Sequence, residues 1–227
     1  MPGVLNDPKL EALLKRLHAA SDAQARNLDS YFAAPAAGAL PARPSEAAKE
    51  FLADKFVALD RDKAEFCYML CRALGATRVV EAGTSYGVST LYLAAAVRDH
   101  CALSGGSGLV IGTEYEPDKA RVARQHAAAA GLTAFIELRE GDLRETLRHL
   151  DAPIDFMLVD IWTQLARPAL ELVAPRLRSG AIVICDNTAD ARNNYRDYFE
   201  YLHAPANGFR TLTLPFSGGL EFSVKCG

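Results

Sequence analysis

Several short stretches of this chain carry residues whose types and spacing could do chemistry. The first is Glu81-Ala82-Gly83-Thr84-Ser85-Tyr86-Gly87-Val88-Ser89-Thr90, which follows the apolar pair Val79-Val80 and precedes a helical pattern from Leu91 to Val97. Gly83 lets the backbone turn tightly and approach a ligand. The helix that follows points unpaired N–H groups and a positive dipole end at any carboxylate or phosphate placed there. A dinucleotide fold would show G-x-G-x-x-G, whereas here the glycines fall at 83 and 87 behind Glu81. Glu114, closing the run Val110-Ile111-Gly112-Thr113, is placed to accept hydrogen bonds from both hydroxyls of a ribose. It could instead charge the start of the next helix, although Glu116 and Asp118 already serve that. Asp142, after Glu140-Gly141, could accept from an adenine amino group or cap a helix, and Ser89 could bind a ligand carboxylate or sit on a solvated helix start. Asp160, after Phe156-Met157-Leu158-Val159, and Asp186-Asn187, after Ile182-Val183-Ile184-Cys185, bring two carboxylates and an amide to adjacent strand ends. Oxygen ligands of this kind suit a hard cation, Mg²⁺ or Ca²⁺, that would bind a substrate hydroxyl and lower its pKa. Taken singly, each aspartate is equally an ordinary turn or cap residue.

These residues need a scaffold that ends several strands at one edge, and the chain has its pattern. Residues 8–33 read as an amphipathic helix with Leu10, Leu13, Leu14 and Leu17 at helical spacing, and an Ala, Pro and Gly-rich link over 34–44 breaks it. Ser45 is expected to cap a second helix, and residues 60–74 a third that stops at Gly75. From 78 onward strands and helices alternate: strands 78–82, 109–114, 134–139, 154–159 and 181–185, with helices 87–98, 117–130, 142–150, 164–177 and 190–202 between and after them. That alternation means an α/β fold with a parallel sheet covered on both faces. The tail changes rhythm: 209–214 and 220–225 around a Gly-containing turn read as an antiparallel hairpin that completes a seven-stranded sheet. The expected division is a helical extension or cap over 1–63 and one α/β domain over 64–227.

Composition narrows the class. The chain has 227 residues, 50% of them hydrophobic, enough for one sizeable domain with a helical extension. A net charge of -3 and no block of Lys and Arg point away from nucleic acid and anionic membrane, and toward a small-molecule substrate. No apolar run is long enough to span a membrane, and the first twenty residues read as charged and amphipathic rather than as a signal peptide. Five cysteines without framework spacing make a reducing cytoplasm the expectation, with Cys67 and Cys71 as core residues. None of His18, His100, His126, His149 and His203 is assigned to catalysis.

The spacing E-x-G-x-x-x-G resembles motif I of the S-adenosylmethionine-dependent methyltransferases. Together with E-x-G-T-x-x-G-x-S-T, Glu114, V-D-x-W at 159–162, C-D-N at 185–187 and the closing G-G-L-E-F-S-V-K, it resembles the cation-dependent O-methyltransferases, the family of catechol and caffeoyl-coenzyme A O-methyltransferases, over roughly 64–225. The resemblance implies a Rossmann-like doubly wound sheet, S-adenosylmethionine as cofactor, a divalent cation and a homodimer. It places Asp160, Asp186 and Asn187 on the metal, with Asp160 also catalytic and beside the cofactor. It places Glu114 on the ribose, Ser89 on the methionine carboxylate, Tyr115 and Trp162 about the adenine, and Glu81, Gly83, Ser85, Tyr86, Gly87 and Asp142 in the remaining cofactor shell. Core packing is the rival role for Tyr115 and Trp162. The chain also departs from the family. Where a lysine general base usually follows the first metal aspartate by three residues there is Thr163, and Asp60-Arg61-Asp62-Lys63 replaces the usual substrate-facing segment. Lys63 and Tyr86 are the candidate substitutes for the base. Three readings are open: an O-methyltransferase assisted by a cation, one that works without metal, and a methyltransferase fold that only binds cofactor.

Overall fold

The structure, a computed structural model, describes residues 3–32, 46–151 and 153–227. The expected link over 34–44 and the Ser45 cap lie outside the described residues. Helices α1 (Pro8–Phe32), α2 (Glu46–Ala53) and α3 (Arg61–Leu74) precede the alternating region. There follow β1 (Arg78–Ala82), α4 (Val88–Ser104), β2 (Leu109–Glu114), α5 (Pro117–Ala130), β3 (Ile136–Glu140), α6 (Leu143–Thr146), β4 (Ile154–Val159), α7 (Thr163–Val173), β5 (Leu177–Asp186), α8 (Arg196–His203), β6 (Phe209–Leu214) and β7 (Leu220–Lys225).

The seven strands form one sheet in the order β3-β2-β1-β4-β5-β7-β6. Strands β1 to β5 run parallel and β7 pairs antiparallel with both β5 and β6, the doubly wound, mostly parallel sheet with a closing hairpin that the sequence implies. β1 and β4 are neighbours although β2 and β3 lie between them in the chain, so the order reverses beside β1. A crevice at that reversal, outside the carboxyl ends of the strands, is where such sheets bind ligands.

Successive strand residues feed opposite layers. Val79, Phe156, Leu158, Ile182 and Ile184 pack with α1, α3 and α4 through residues such as Leu14, Cys67 and Leu93. Val80, Met157, Val159, Val183 and Cys185 pack with α7 and α8 through Ala166, Leu170 and Tyr198. All six residues of β4 are buried, as a central parallel strand requires, and each large apolar side chain so buried contributes about 1.5–3 kcal/mol. The leucines read as one face of α1 at 10, 13, 14 and 17 are buried in the same layer as α4.

Some boundaries move. The helix expected over 142–150 is only Leu143–Thr146, and β5 begins at Leu177 rather than 181. The last helix starts at Arg196, after a single 3₁₀ turn over Arg192–Tyr195.

Candidate active site

The turn after β1 is built on a buried carboxylate. Glu81 is 0% exposed; Ser89 Oγ donates to its Oε1 at 2.6 Å, Thr84 Oγ1 to its Oε2 at 2.8 Å, and Thr90 Oγ1 also to Oε2. Burial raises the Glu81 pKa, against the pull of the three hydroxyls. This corrects two expectations. Glu81 is sealed away from any ligand and braces the turn from beneath. The Ser89 hydroxyl hydrogen is committed to Glu81 on a buried helix start, so it does not wait for a ligand carboxylate. What remains for a ligand is backbone: the N-cap of α4 is Gly87, which has no side chain to satisfy the N–H groups of Val88, Ser89 and Thr90. Gly83 is required by proximity. Its φ is +101°, and a Cβ there would lie 1.9 Å from the Asp160 carbonyl oxygen, so the turn after β1 is pressed directly onto the end of β4.

Glu114 stands at the end of β2 beside this turn. Its Oε2 accepts the Ser85 N–H at 2.6 Å and its Oε1 the Glu116 N–H at 2.8 Å, leaving each oxygen with a further lone pair. Ser85 adopts φ +50°, and its hydroxyl is buried without a partner. Tyr86 points away from the turn into a strap formed by the chain before α3. Its ring stacks on Phe56 at 4.5 Å and its hydroxyl donates to the Asp54 carbonyl at 3.1 Å. That strap is tied to α1: the Ala58 N–H donates to Ser21 Oγ and the Phe56 N–H to Gln24 Oε1, each at 3.1 Å. Tyr86 therefore fastens the cap to the turn, and its hydroxyl is not free to act as a base. His126 Nδ1 lies 2.8 Å from the Tyr86 carbonyl and steadies the same turn.

Tyr115 is 69% exposed, which removes core packing as its role. Trp162, half-buried, starts α7. Asp142 caps α6 by accepting the Arg144 N–H at 2.9 Å and pairs with the Arg144 guanidinium, so the cap role read as one of its two alternatives is the one its carboxylate performs. A cavity of about 220 Å³ lies behind the turn between α4, α5 and β3, with Thr84, Gly87, Ala123, Arg124 and Leu138 among its walls. None of the lining residues comes from the ends of β4 or β5, so this cavity is separate from the strand-end aspartates.

The ends of β4 and β5 do bring Asp160 and Asp186 together, with an unexpected third member. Lys63, in the first turn of α3 and 1% exposed, places Nζ 2.7 Å from Asp186 Oδ1 and 2.9 Å from Asp60 Oδ2. The approach to Oδ1 lies off the line of a directed hydrogen bond, so the contact is one of charge. Burial alone would lower the Lys63 pKa; Asp186 and Asp60 outweigh it and hold the ammonium charged. Burial, with the neighbouring Asp186 and Glu81 carboxylates, pushes Asp160 well above the carboxylate range, and burial also raises Asp186 against the pull of Lys63. Asp160 is partly exposed, whereas Asp186 is buried. Cys67, one helical turn beyond Lys63, is buried against the same carboxylates, and both effects raise its thiol pKa.

A divalent cation does not fit this donor set. Asp186 Oδ1 faces Lys63, and its Oδ2 accepts the Asn187 side-chain N–H at 3.1 Å. Asn187, at φ +57°, turns its amide oxygen toward the closing turn, where a Cβ on Gly218 would lie 2.6 Å from it. Among the described residues no group of three or more His, Cys, Asp or Glu side chains could hold a metal. An ion ligated to Asp186 Oδ1 would sit at most about 5 Å from the ammonium, a repulsion of about 6 kcal/mol at an effective dielectric of about 20. Lys63 thus stands against one of the oxygens expected to bind a cation at Asp160, Asp186 and Asn187, and the sequence showed it only as a candidate base. Asp60 was named only as part of the segment 60–63, although its spacing of three from Lys63 at a helix start was a readable signal of the pair.

Residues 80–188 match the model of a family described as a methyltransferase domain. The chain is 30% identical over 132 residues to a catechol O-methyltransferase of Mycobacterium tuberculosis, covering 58% of this chain and 57% of that protein. It is 27% identical over 139 residues to a catechol O-methyltransferase of Niastella koreensis, covering 58% of each. The match thus spans little more than half the length of these relatives. Among solved structures, a putative O-methyltransferase from Klebsiella pneumoniae superposes with a TM-score of 0.71 at 20% identity, over 100% of this chain and 92% of that one. The O-methyltransferase TomG from Streptomyces achromogenes, in complex with S-adenosylmethionine, superposes with a TM-score of 0.66 at 23% identity, over 90% and 99%. The likeness to these solved structures covers the whole fold, and the two sequence relatives named above are O-methyltransferases.

Proposed function

We propose that this protein is an S-adenosylmethionine-dependent O-methyltransferase acting on the hydroxyl of a small molecule. The observation that carries the reading is the pairing of the Gly83–Gly87 turn, which leaves the first N–H groups of α4 open, with Glu114 at the end of the adjacent strand. That pair offers donors to a carboxylate and acceptors to a ribose, on a fold whose relatives are O-methyltransferases. When bound, S-adenosylmethionine would supply a methyl group on a positively charged sulfur; the acceptor oxygen would bond to that carbon as the C–S bond breaks, giving S-adenosylhomocysteine, with the hydroxyl proton released to solvent water. The residues of this chain then act by positioning. The α4 N–H groups hold the methionine end, Glu114 the ribose, and Tyr115 and Trp162 flank the base, while Asp160 faces the acceptor. The cap held by Tyr86 and Phe56 screens the turn from water. The divalent cation that the resemblance implied is not part of this proposal, because Lys63 faces the Asp186 oxygen it would need. The same observation favours the metal-independent reading over the cation-assisted one.

The test is incubation with methyl-labelled S-adenosylmethionine and a panel of phenols, catechols and aliphatic alcohols in the presence of a chelator. The expected result is a labelled methyl ether with one S-adenosylhomocysteine formed per methyl transferred. Cofactor bound with its label retained on sulfur across the panel would assign the chain to the cofactor-binding reading.

A further inference from the structure

We propose that Lys63 is the resident cation of this site: its ammonium occupies the place at the ends of β4 and β5 that a divalent ion would take, and the protein neither needs nor binds such an ion there. The inference rests on the transferase reading above for what the site does, but its geometric basis is separate. Lys63 is among the largest fully buried side chains of the molecule. Lysine is almost never buried without partners, and the first turn of a helix, at the positive end of its dipole, is a poor place for a cation. Both local preferences are broken at once at this position, as sequences do where a site demands it.

The surroundings are arranged for the ammonium. Asp60 occupies the N-cap of α3 yet makes no side-chain cap hydrogen bond; its carboxylate goes to Lys63 instead, at 2.9 Å. Asp186 meets the same nitrogen from β5 at 2.7 Å. Asn187, which would have completed an oxygen ligand set, gives its N–H to Asp186 and turns its oxygen away. Two carboxylates, of Asp60 and Asp186, thus share one tethered positive charge. A metal with two open coordination positions selects acceptors with two adjacent oxygens. An ammonium held by charge between Asp186 and Asp60 has no coordination positions to fill and imposes no such demand, so the acceptor needs only one hydroxyl.

The experiment is Mn²⁺ titration followed by electron paramagnetic resonance, on the wild type, Asp186→Asn, Lys63→Ala, Lys63→Gln and Lys63→Ala combined with Asp186→Asn. S-adenosylhomocysteine titrations with and without chelator run in parallel. The wild type should show no Mn²⁺ site tighter than millimolar, and a chelator should leave its S-adenosylhomocysteine affinity unchanged. Lys63→Ala should gain one Mn²⁺ site at least tenfold tighter, and Asp186→Asn should remove it. Saturable Mn²⁺ binding by the wild type that Asp186→Asn abolishes would overturn the proposal, as would a chelator-sensitive affinity. If the lysine variants fail to fold, the wild-type titration still decides. Absence of S-adenosylhomocysteine binding would instead sink the transferase reading and leave the Mn²⁺ result to speak for the cation alone.

Discussion

Gly83→Ala probes the junction on which the site depends. The substitution adds a single methyl group, and two costs follow from where it lands. The backbone at Gly83 has φ +101°, outside even the small left-handed region open to other residues, and holding alanine there costs about 1–3 kcal/mol. The new Cβ would also lie 1.9 Å from the Asp160 carbonyl oxygen, which is main chain just after β4 and cannot rotate aside, so overpacking adds about 1–3 kcal/mol more. The sum, about 2–6 kcal/mol, is a large share of the roughly 5–15 kcal/mol that holds a domain together. At about 2–4 °C per kcal/mol for a chain of this size, a 4 kcal/mol loss lowers Tm by about 8–16 °C. Gly131→Ala is the matched control: its φ is +69° and nothing lies within 4 Å of an added Cβ, so it carries conformational cost alone, about 1–2 kcal/mol. Urea unfolding of both variants isolates the overlap as their difference. S-adenosylhomocysteine binding should weaken in Gly83→Ala, because the turn must shift away from β4, and stay unchanged in Gly131→Ala. Equal destabilisation of the two variants, or a Gly83→Ala protein with wild-type affinity, would refute the claim that this contact fixes the site.

Two further outcomes are expected. Glu114→Gln keeps the shape of the side chain and removes its charge, so the hydrogen bonds it would accept from ribose hydroxyls weaken by about 1.5–3 kcal/mol, or roughly 10- to 150-fold in the Kd for S-adenosylhomocysteine; unchanged affinity would remove Glu114 from the cofactor site. Asp155, at the opposite end of the sheet, accepts the Thr77 N–H at 2.8 Å, the Arg78 N–H at 2.9 Å and Arg178 Nε at 2.6 Å. Burial alone would raise its pKa, but the Arg78 N–H, the Arg178 guanidinium and the Thr77 N–H together hold it below the ordinary 3.8. A depressed carboxylate stabilises the fold above its unfolded pKa and loses that contribution as pH falls through the lower folded value. Asp155→Asn should therefore be less stable than wild type at neutral pH and lose less on acidification below about pH 4; parallel stability–pH curves would contradict this.

The sheet was legible because its determinants are local. The runs at Ile154–Val159 and Ile182–Cys185 are too apolar to be half-exposed, and α3 ends at Gly75 in the left-handed cap the sequence suggested. The strand-end residues Glu114, Asp160 and Asp186 could be read because a parallel sheet delivers all its carboxyl ends to one edge. Glu81 misled for the opposite reason: its place in the motif is clear in sequence, but whether a strand-end carboxylate faces the crevice or the hydroxyls of the following helix depends on where Thr84, Ser89 and Thr90 point. The extent of α6 was overestimated because the pattern over 142–150 contains apolar residues that serve the core from a turn. Lys63 was the least legible. Its partner Asp186 lies on a strand far along the chain, and no spacing encodes a contact between α3 and β5; only the neighbouring Asp60 hinted that a charge was to be held there.

The central claim is that the turn at Gly83–Gly87 and the end of β2 form a cofactor site. Calorimetric titration of S-adenosylhomocysteine into the wild-type protein tests it most directly. Saturable binding to one site per chain, weakened in Glu114→Gln, is the result predicted. A titration with no binding heat at protein concentrations up to about 100 μM, repeated at a second temperature to exclude a vanishing enthalpy, would contradict it.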